Sequence, residues 1–227
     1  MKGKMVELAK AKEPFKFYTR LHLTELTGLR ATTLGQLAGL IKKVSGSCIY
    51  HHTHRFLQQH QYLSPEPPND FAYWVTEILG DEKLGEMLAS IDTVQYSTIR
   101  ALRDKIIETI EDYLKNNRLA KLRFAQEGEE FHFVKSVSFI LPTDYAANDL
   151  KELWEIIKKV TTDSIYFHMF ESRLRLEKID NDFSNWIRNS IGDKTLADEI
   201  SRLDPYTYTL EGLRNKLVAM LEKRIFI

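Results

Sequence analysis

The segments NDFAYWV at 69–75 and NDFSNWI at 181–187 are near-copies 112 positions apart. They belong to an ordered series. FKF at 15–17 returns as FHF at 131–133, LIKKV at 40–44 as IIKKV at 156–160, and Ile49, Tyr50 and His52 as Ile165, Tyr166 and His168, all at a shift of 116. After a four-residue gap the shift becomes 112, and Gly80-Asp81 meets Gly192-Asp193, Asp92 meets Asp204 and Tyr96 meets Tyr208. One ordered series with small gaps is the mark of an internal duplication. The series places repeat 1 at 15–114, a polar linker at 115–130 and repeat 2 at 131–227. Residues 1–14 have no counterpart and read as a flexible N-terminal extension.

Within each repeat the apolar period is helical. Leu34, Leu37, Leu40, Ile41 and Val44 form one stripe, and Leu150, Leu153, Ile156, Ile157 and Val160 repeat it. Thr32 or Thr33 and Asn148 are candidate caps for these helices, and NDF opens a later one with Asn or Asp as its cap. Gly80 and Gly192 read as helix ends, with the following Asp starting the next helix. The alternating segments near Phe15–Leu23 and Phe131–Leu141 fit short strands or extended turns equally well. The fold class predicted is mainly α: two tandem homologous repeats of about five helices each, packed as a pseudo-two-fold body.

Composition narrows the function classes. The 227 residues carry 32 basic and 32 acidic side chains, with 43% hydrophobic and 28% charged. That balance is ordinary for a globular protein and excludes a disordered tail or a bulk-charge nucleic-acid binder. One cysteine, Cys48, excludes an internal disulfide framework and fits a reducing cytoplasm. No apolar run approaches the roughly 18 residues that cross a bilayer. Neither nucleic acid nor membrane is an expected partner, and no cofactor is implied.

The segments SCIYHHTHRFLQQHQYLSPEPPNDFAYWV (47–75) and DSIYFHMFESRLRLEKIDNDFSNWI (163–187), with LADEISRLDPYTYTLEGLR (196–214), resemble a bacterial domain family of unknown function. Its members look like one or two copies of a unit ordered as helix, SIYxH helix, NDFxxW helix and GDxxLA helix. The resemblance covers nearly the whole chain. It implies an accessory role beside enzymes that build or trim glucans and trehalose-like sugars, and it carries no catalytic residues with it.

The most chemical stretch is HHTHRFLQQH, with His51, His52, His54, Arg55 and His60. Imidazoles ligate zinc, copper, nickel and iron. On an unbroken α-helix, at about 100° per residue, His51 and His54 share a face with Arg55, His52 turns to the apolar side and His60 lies opposite His51. Four histidines therefore do not converge on one ion, and a His51/His54 pair needs a ligand from elsewhere. His52 is kept as His168, which points to a structural role for Tyr50, His52, Tyr166 and His168. His51, His54 and His60 become Phe167, Phe170 and Leu176, so any specialised site belongs to the first half. Asp70 and Asp182, just before an aromatic helix, read as caps.

The reading these residues support is a non-enzymatic helical module that binds a partner protein or a small polar ligand in the groove between repeats. His51, His54, Arg55, His60 and Arg173 are its candidate contacts, with the SPEPP loop at 64–68 beside them. The alternatives are a hydrolase or transferase with His54 as general base oriented by Asp70, a His51/His54 metal site, and a homo-oligomeric scaffold.

Overall fold

The computed structural model describes residues 9–55, 69–172, 180–203 and 208–226. Their order is β1 (Phe15–Ala31), α1 (Leu34–Ile41), α2 (Gly46–Tyr50), α3 (Asp70–Tyr73), α4 (Glu82–Ala89) and α5 (Ile99–Asn116), then β2 (Phe131–Ala147), α6 (Leu150–Ile157), α7 (Thr162–Tyr166), α8 (Asp182–Trp186), α9 (Lys194–Ser201) and α10 (Leu210–Ile225). Helices α2, α3, α7 and α8 each widen at once into a π turn: His51–Arg55, Trp74–Ile78, Phe167–Glu171 and Ile187–Ile191. The extra residue per turn overturns the unbroken α-helix on which the angular placement of His51, His52 and His54 rested.

The strands correct the fold class. Each is 17 residues long, and together they form a two-stranded antiparallel sheet, so the protein is mixed α/β rather than mainly α. Nor is it a tandem of helical repeats. Among the described residues, one compact unit contains residues 9–21 and everything from Phe139 onward; the other contains 22–55 and 69–138. Each strand is divided between the units, so neither repeat keeps the whole of its own strand. We call them the His168 unit and the His52 unit.

The physical reason is where the strand aromatics find their core. In the His52 unit, Phe131 and Phe133 of β2 pack with Leu34, Leu37 and Ile41 of α1, Phe71 of α3, Leu84 and Leu88 of α4, and Leu102, Ile106 and Ile110 of α5. In the His168 unit, Phe15 and Phe17 of β1 pack with Leu153 and Ile157 of α6, Phe183 of α8, Leu196 of α9, and Leu217 and Leu221 of α10. Burying each aromatic contributes about 1.5–3 kcal/mol. Ladder contacts hold a single register. In the His168 unit the Thr143 hydroxyl donates to the Phe17 carbonyl at 2.8 Å. In the His52 unit Thr27 donates to the Phe133 carbonyl at 2.7 Å, and Lys135 pairs with Glu25 at 2.9 Å.

Local chemistry sets the helix ends. Thr33 and Asp149 cap α1 and α6 by accepting from the amides of Gln36 and Glu152. Asp81 and Asp193 cap α4 and α9, each just after a glycine in the left-handed region, where a Cβ is strained. Arg103 donates to the Val44 carbonyl at 2.8 Å, and Arg214 to those of Ile157 and Val160 at 3.0 and 2.6 Å. These guanidiniums occupy orphan carbonyls beyond α1 and α6. Residues 10–13, expected as loose extension, are tied down: the amides of Ala11 and Lys12 donate to the carbonyls of Asn148 and Ser190, and Lys10 pairs with Asp149 at 2.7 Å. Among the described residues no helix is long and apolar enough to cross a membrane.

One ion pair of this scaffold has a readable pH signature. Arg224 donates to Asp193 from Nε at 2.6 Å and from Nη2 at 2.9 Å, and holds that carboxyl below its usual range. A carboxyl lowered by folding stabilises above its unfolded pKa, and that stability is lost as pH falls through the folded value. Arg224→Gln therefore lowers the melting temperature above about pH 5 and converges with the parent below about pH 3. With Arg224 half exposed, the loss is about 1 kcal/mol or less. A pH series of melting curves checks it.

Candidate functional site

Each unit holds a buried histidine that ties its strand to a helix. His168, at the start of the π turn after α7, has both ring nitrogens engaged. Its Nδ1 lies 2.8 Å from Asp182 Oδ2, and its Nε2 accepts from the Tyr18 backbone N–H of β1 at 2.9 Å. His52 repeats the arrangement after α2, with Nδ1 at 2.7 Å from Asp70 Oδ2 and Nε2 accepting from the Val134 N–H of β2 at 3.0 Å. Both side chains are 4% exposed or less. They pack on strand and helix aromatics: His168 on Phe15 and Phe183, His52 on Phe131 and Phe71.

The backbone decides the tautomer. A peptide N–H only donates, so the Nε2 facing it must present a lone pair. The ring proton then sits on Nδ1 and is donated to the carboxylate. In an antiparallel ribbon every second residue turns both its N–H and its C=O away from the partner strand. Tyr18 is one of these: His168 takes its N–H, and Ser164 Oγ donates to its C=O at 2.7 Å. The imidazole thus supplies hydrogen bonding to a strand edge that would otherwise be open.

Asp70 and Asp182 are accordingly not the caps expected. The preceding residues cap: Asn69 Oδ1 accepts from Ala72 N–H, and Asn181 Oδ1 from Ser184 N–H. This frees each aspartate, on the first turn of its helix, for the imidazole. Trp74 and Trp186 complete the clamps by donating their indole N–H to the carbonyls of Glu129 and Glu13 at 2.8 and 2.7 Å, just ahead of the strands.

The other predicted contacts are placed differently. His51 Nδ1 lies 3.1 Å from Ser136 Oγ of β2. His54 Nδ1 lies 2.9 Å from Thr53 Oγ1, and its ring stacks on Tyr50 at 5.5 Å, with Tyr50 stacked in turn on His22 at 6.1 Å. Asp70 orients His52, so the proposed His54/Asp70 acid–base pair does not form. Phe167, the counterpart of His51 in the second half, is buried. His60, Arg173, the SPEPP loop and the Arg55 side chain lie outside the described residues.

His51, His52 and Asp70 each bring a ligand atom within 4.8 Å of the other two. A cation on Nδ1 of His52 would move the ring proton to Nε2, against the Val134 N–H, setting two donors face to face. His52 is therefore unsuited to ligate, and among the described residues His51 with Asp70 falls short of the three protein ligands of a catalytic zinc site.

The described cleft lies in the His168 unit. It holds about 600 Å³ and is lined by Glu13, Pro14, Phe15, Lys16, Tyr18, His168, Asp182, Asn185 and Trp186. The sequence reading missed it, because Glu13 to Tyr18 and Asp182 to Trp186 are far apart in the chain.

Two α/β units, each completed by a strand segment from the other half of the sequence and fixed by a histidine–aspartate clamp, define the class of fold. The chain belongs to the family of unknown function DUF5752, whose model matches residues 12–222. It is similar to the solved structure of OrfY from Thermoproteus tenax, at 30% sequence identity, covering 96% of this chain and 98% of that one, with a TM-score of 0.81. No curated protein matches the chain.

Proposed function

We propose that the protein is a non-enzymatic binding module, an accessory to carbohydrate metabolism of the bacterial kind that the sequence resemblance implies. The observation carrying this reading is the commitment of both imidazoles. General-base catalysis needs a ring nitrogen with a lone pair facing substrate. His52 and His168 spend theirs on backbone amides. A His–Asp pair that serves a catalytic triad has its second nitrogen turned to the nucleophile; here it is turned to a strand. The cleft of the His168 unit offers such a module a receptor for a small polar ligand, with a partner protein as the other occupant class.

Equilibrium dialysis of the full chain against a metabolite extract, read by mass spectrometry, tests the reading. The expected result is enrichment of an intact compound, up to one per chain, with no change in the extract over time. Protein-dependent loss of one compound with appearance of another would refute it.

A further inference from the structure

The segment joining the two sequence repeats presents an apolar and cationic surface in the His52 unit, independent of the cleft in the other unit. Helix α5 ends at Asn116, and Arg118–Leu122 follows as a 3₁₀ turn. At three residues per turn, side chains at i and i+3 eclipse one another. The turn therefore sorts its side chains into rows. Ala120 turns into the core. Leu119 and Leu122 form an apolar row, 79% and 72% exposed, and Phe124 follows at 62%. Arg118 and Lys121 form a cationic row beside it, both exposed.

The turn is held from below. Ala120 and Ala125 belong to the core, and the Ala125 N–H donates to the Thr32 carbonyl at 2.8 Å. Arg123 donates to the Leu79 carbonyl at 2.8 Å. A ridge fixed in this way loses little freedom when something covers it.

Charge selects the occupant. Between Asp112 and Glu127 the chain has no acidic residue and four basic ones, Lys115, Arg118, Lys121 and Arg123. Lys115 pairs with Asp112 and Arg123 with Asp81. Among the described residues Arg118 and Lys121 have no acidic partner. A second copy meeting the ridge about a two-fold axis doubles this positive charge with nothing to offset it. Two unpaired cations also fall short of the cluster of about four to eight that marks an anionic lipid site. A protein segment that combines apolar with acidic side chains satisfies both rows. From Leu119 to Leu122 the turn rises about 6 Å, which matches the rise of about 6 Å between positions i and i+4 of an α-helix.

We propose that the Leu119–Phe124 ridge docks an acidic amphipathic helix of a partner protein. Its apolar side chains at i and i+4 meet Leu119 and Leu122, and its flanking Asp or Glu residues meet Arg118 and Lys121.

Two fluorescently labelled helical peptides with the same leucine face test this against the full chain by anisotropy. One flanks that face with glutamates, the other with lysines. The glutamate peptide is expected to bind saturably below about 1 mM, and the lysine peptide at least about tenfold more weakly. Leu122→Ser weakens the glutamate peptide at least about fivefold, and Arg118→Glu with Lys121→Glu reverses the preference. Because these side chains are exposed, the variants keep the parent's melting curve. Equal binding of the two peptides, no saturable binding of the glutamate peptide, or binding unchanged in Leu122→Ser overturns the proposal. So does co-sedimentation with vesicles of equal phosphatidylserine and phosphatidylcholine that Leu122→Ser abolishes, which assigns the ridge to a lipid surface. A concentration-dependent dimer lost in the same variant overturns it too and assigns the ridge to a second copy. None of these results bears on the cleft, so the binding-module reading stands or falls separately.

Discussion

A chain ending at residue 114 fails to fold as a monomer, and a peptide spanning 117–138 added in trans restores a cooperative transition. The fragment contains the whole of sequence repeat 1, yet the core of the His52 unit also needs Ala120, Ala125, Phe131 and Phe133. Losing a buried Phe costs about 3–5 kcal/mol, so two of them remove about 6–10. Typical domains have only about 5–15 kcal/mol in total. Phe15 and Phe17, at the front of the same fragment, belong to the core of the His168 unit and are left with nothing to cover them. Circular dichroism against denaturant is the measurement. The peptide with Phe131→Ala and Phe133→Ala does not rescue. Cooperative folding of the fragment alone would show that the strands are dispensable ornaments of self-sufficient helical repeats.

His168→Leu lowers stability by about 3 kcal/mol, while Asp182→Asn costs about 1 kcal/mol or less. Leucine fills much of the ring's volume but leaves the Tyr18 N–H without its acceptor and the Asp182 carboxylate without the Nδ1 donor. A buried polar group stripped of its partner costs about 1–3 kcal/mol. Asparagine at 182 keeps an oxygen to accept from Nδ1. Urea unfolding of the three proteins gives the order directly. Equal losses at the two positions would mean that the carboxylate charge, rather than the strand hydrogen bond, is what the histidine serves.

The helices were legible because their determinants are local. The stripes at Leu34–Val44 and Leu150–Val160 and the Gly-Asp breaks each lie within one element. The strands were not. Phe15 and Phe17 alternate with Lys16 as a strand should, but beyond Tyr18 β1 is only partly covered, so the burial period that marks a strand dies out after its first turn of pleat. Their partners lie more than a hundred residues away, and no local pattern reports them.

The clamp was half visible. His and Asp are kept together in both halves, at His52/Asp70 and His168/Asp182, and that joint retention was the available signal. Their separations, 18 and 14 residues, differ by the four-residue gap between the repeats, which hides the match. The third member is a backbone amide, which leaves no trace in side-chain identity. The π turns misdirected the rest: angles computed for an α-helix put His51 and His54 on one face, whereas His51 reaches Ser136 and His54 stacks on Tyr50.

The central claim is that two neutral imidazoles hold two strand edges. Long-range ¹H–¹⁵N correlation spectra of the histidine rings at neutral pH test it most directly. The account predicts, for His52 and His168 alike, a protonated Nδ1 and an unprotonated Nε2 whose resonance changes on replacement of the strand segment it faces. A proton on Nε2 of either ring, or imidazolium at both, would contradict it.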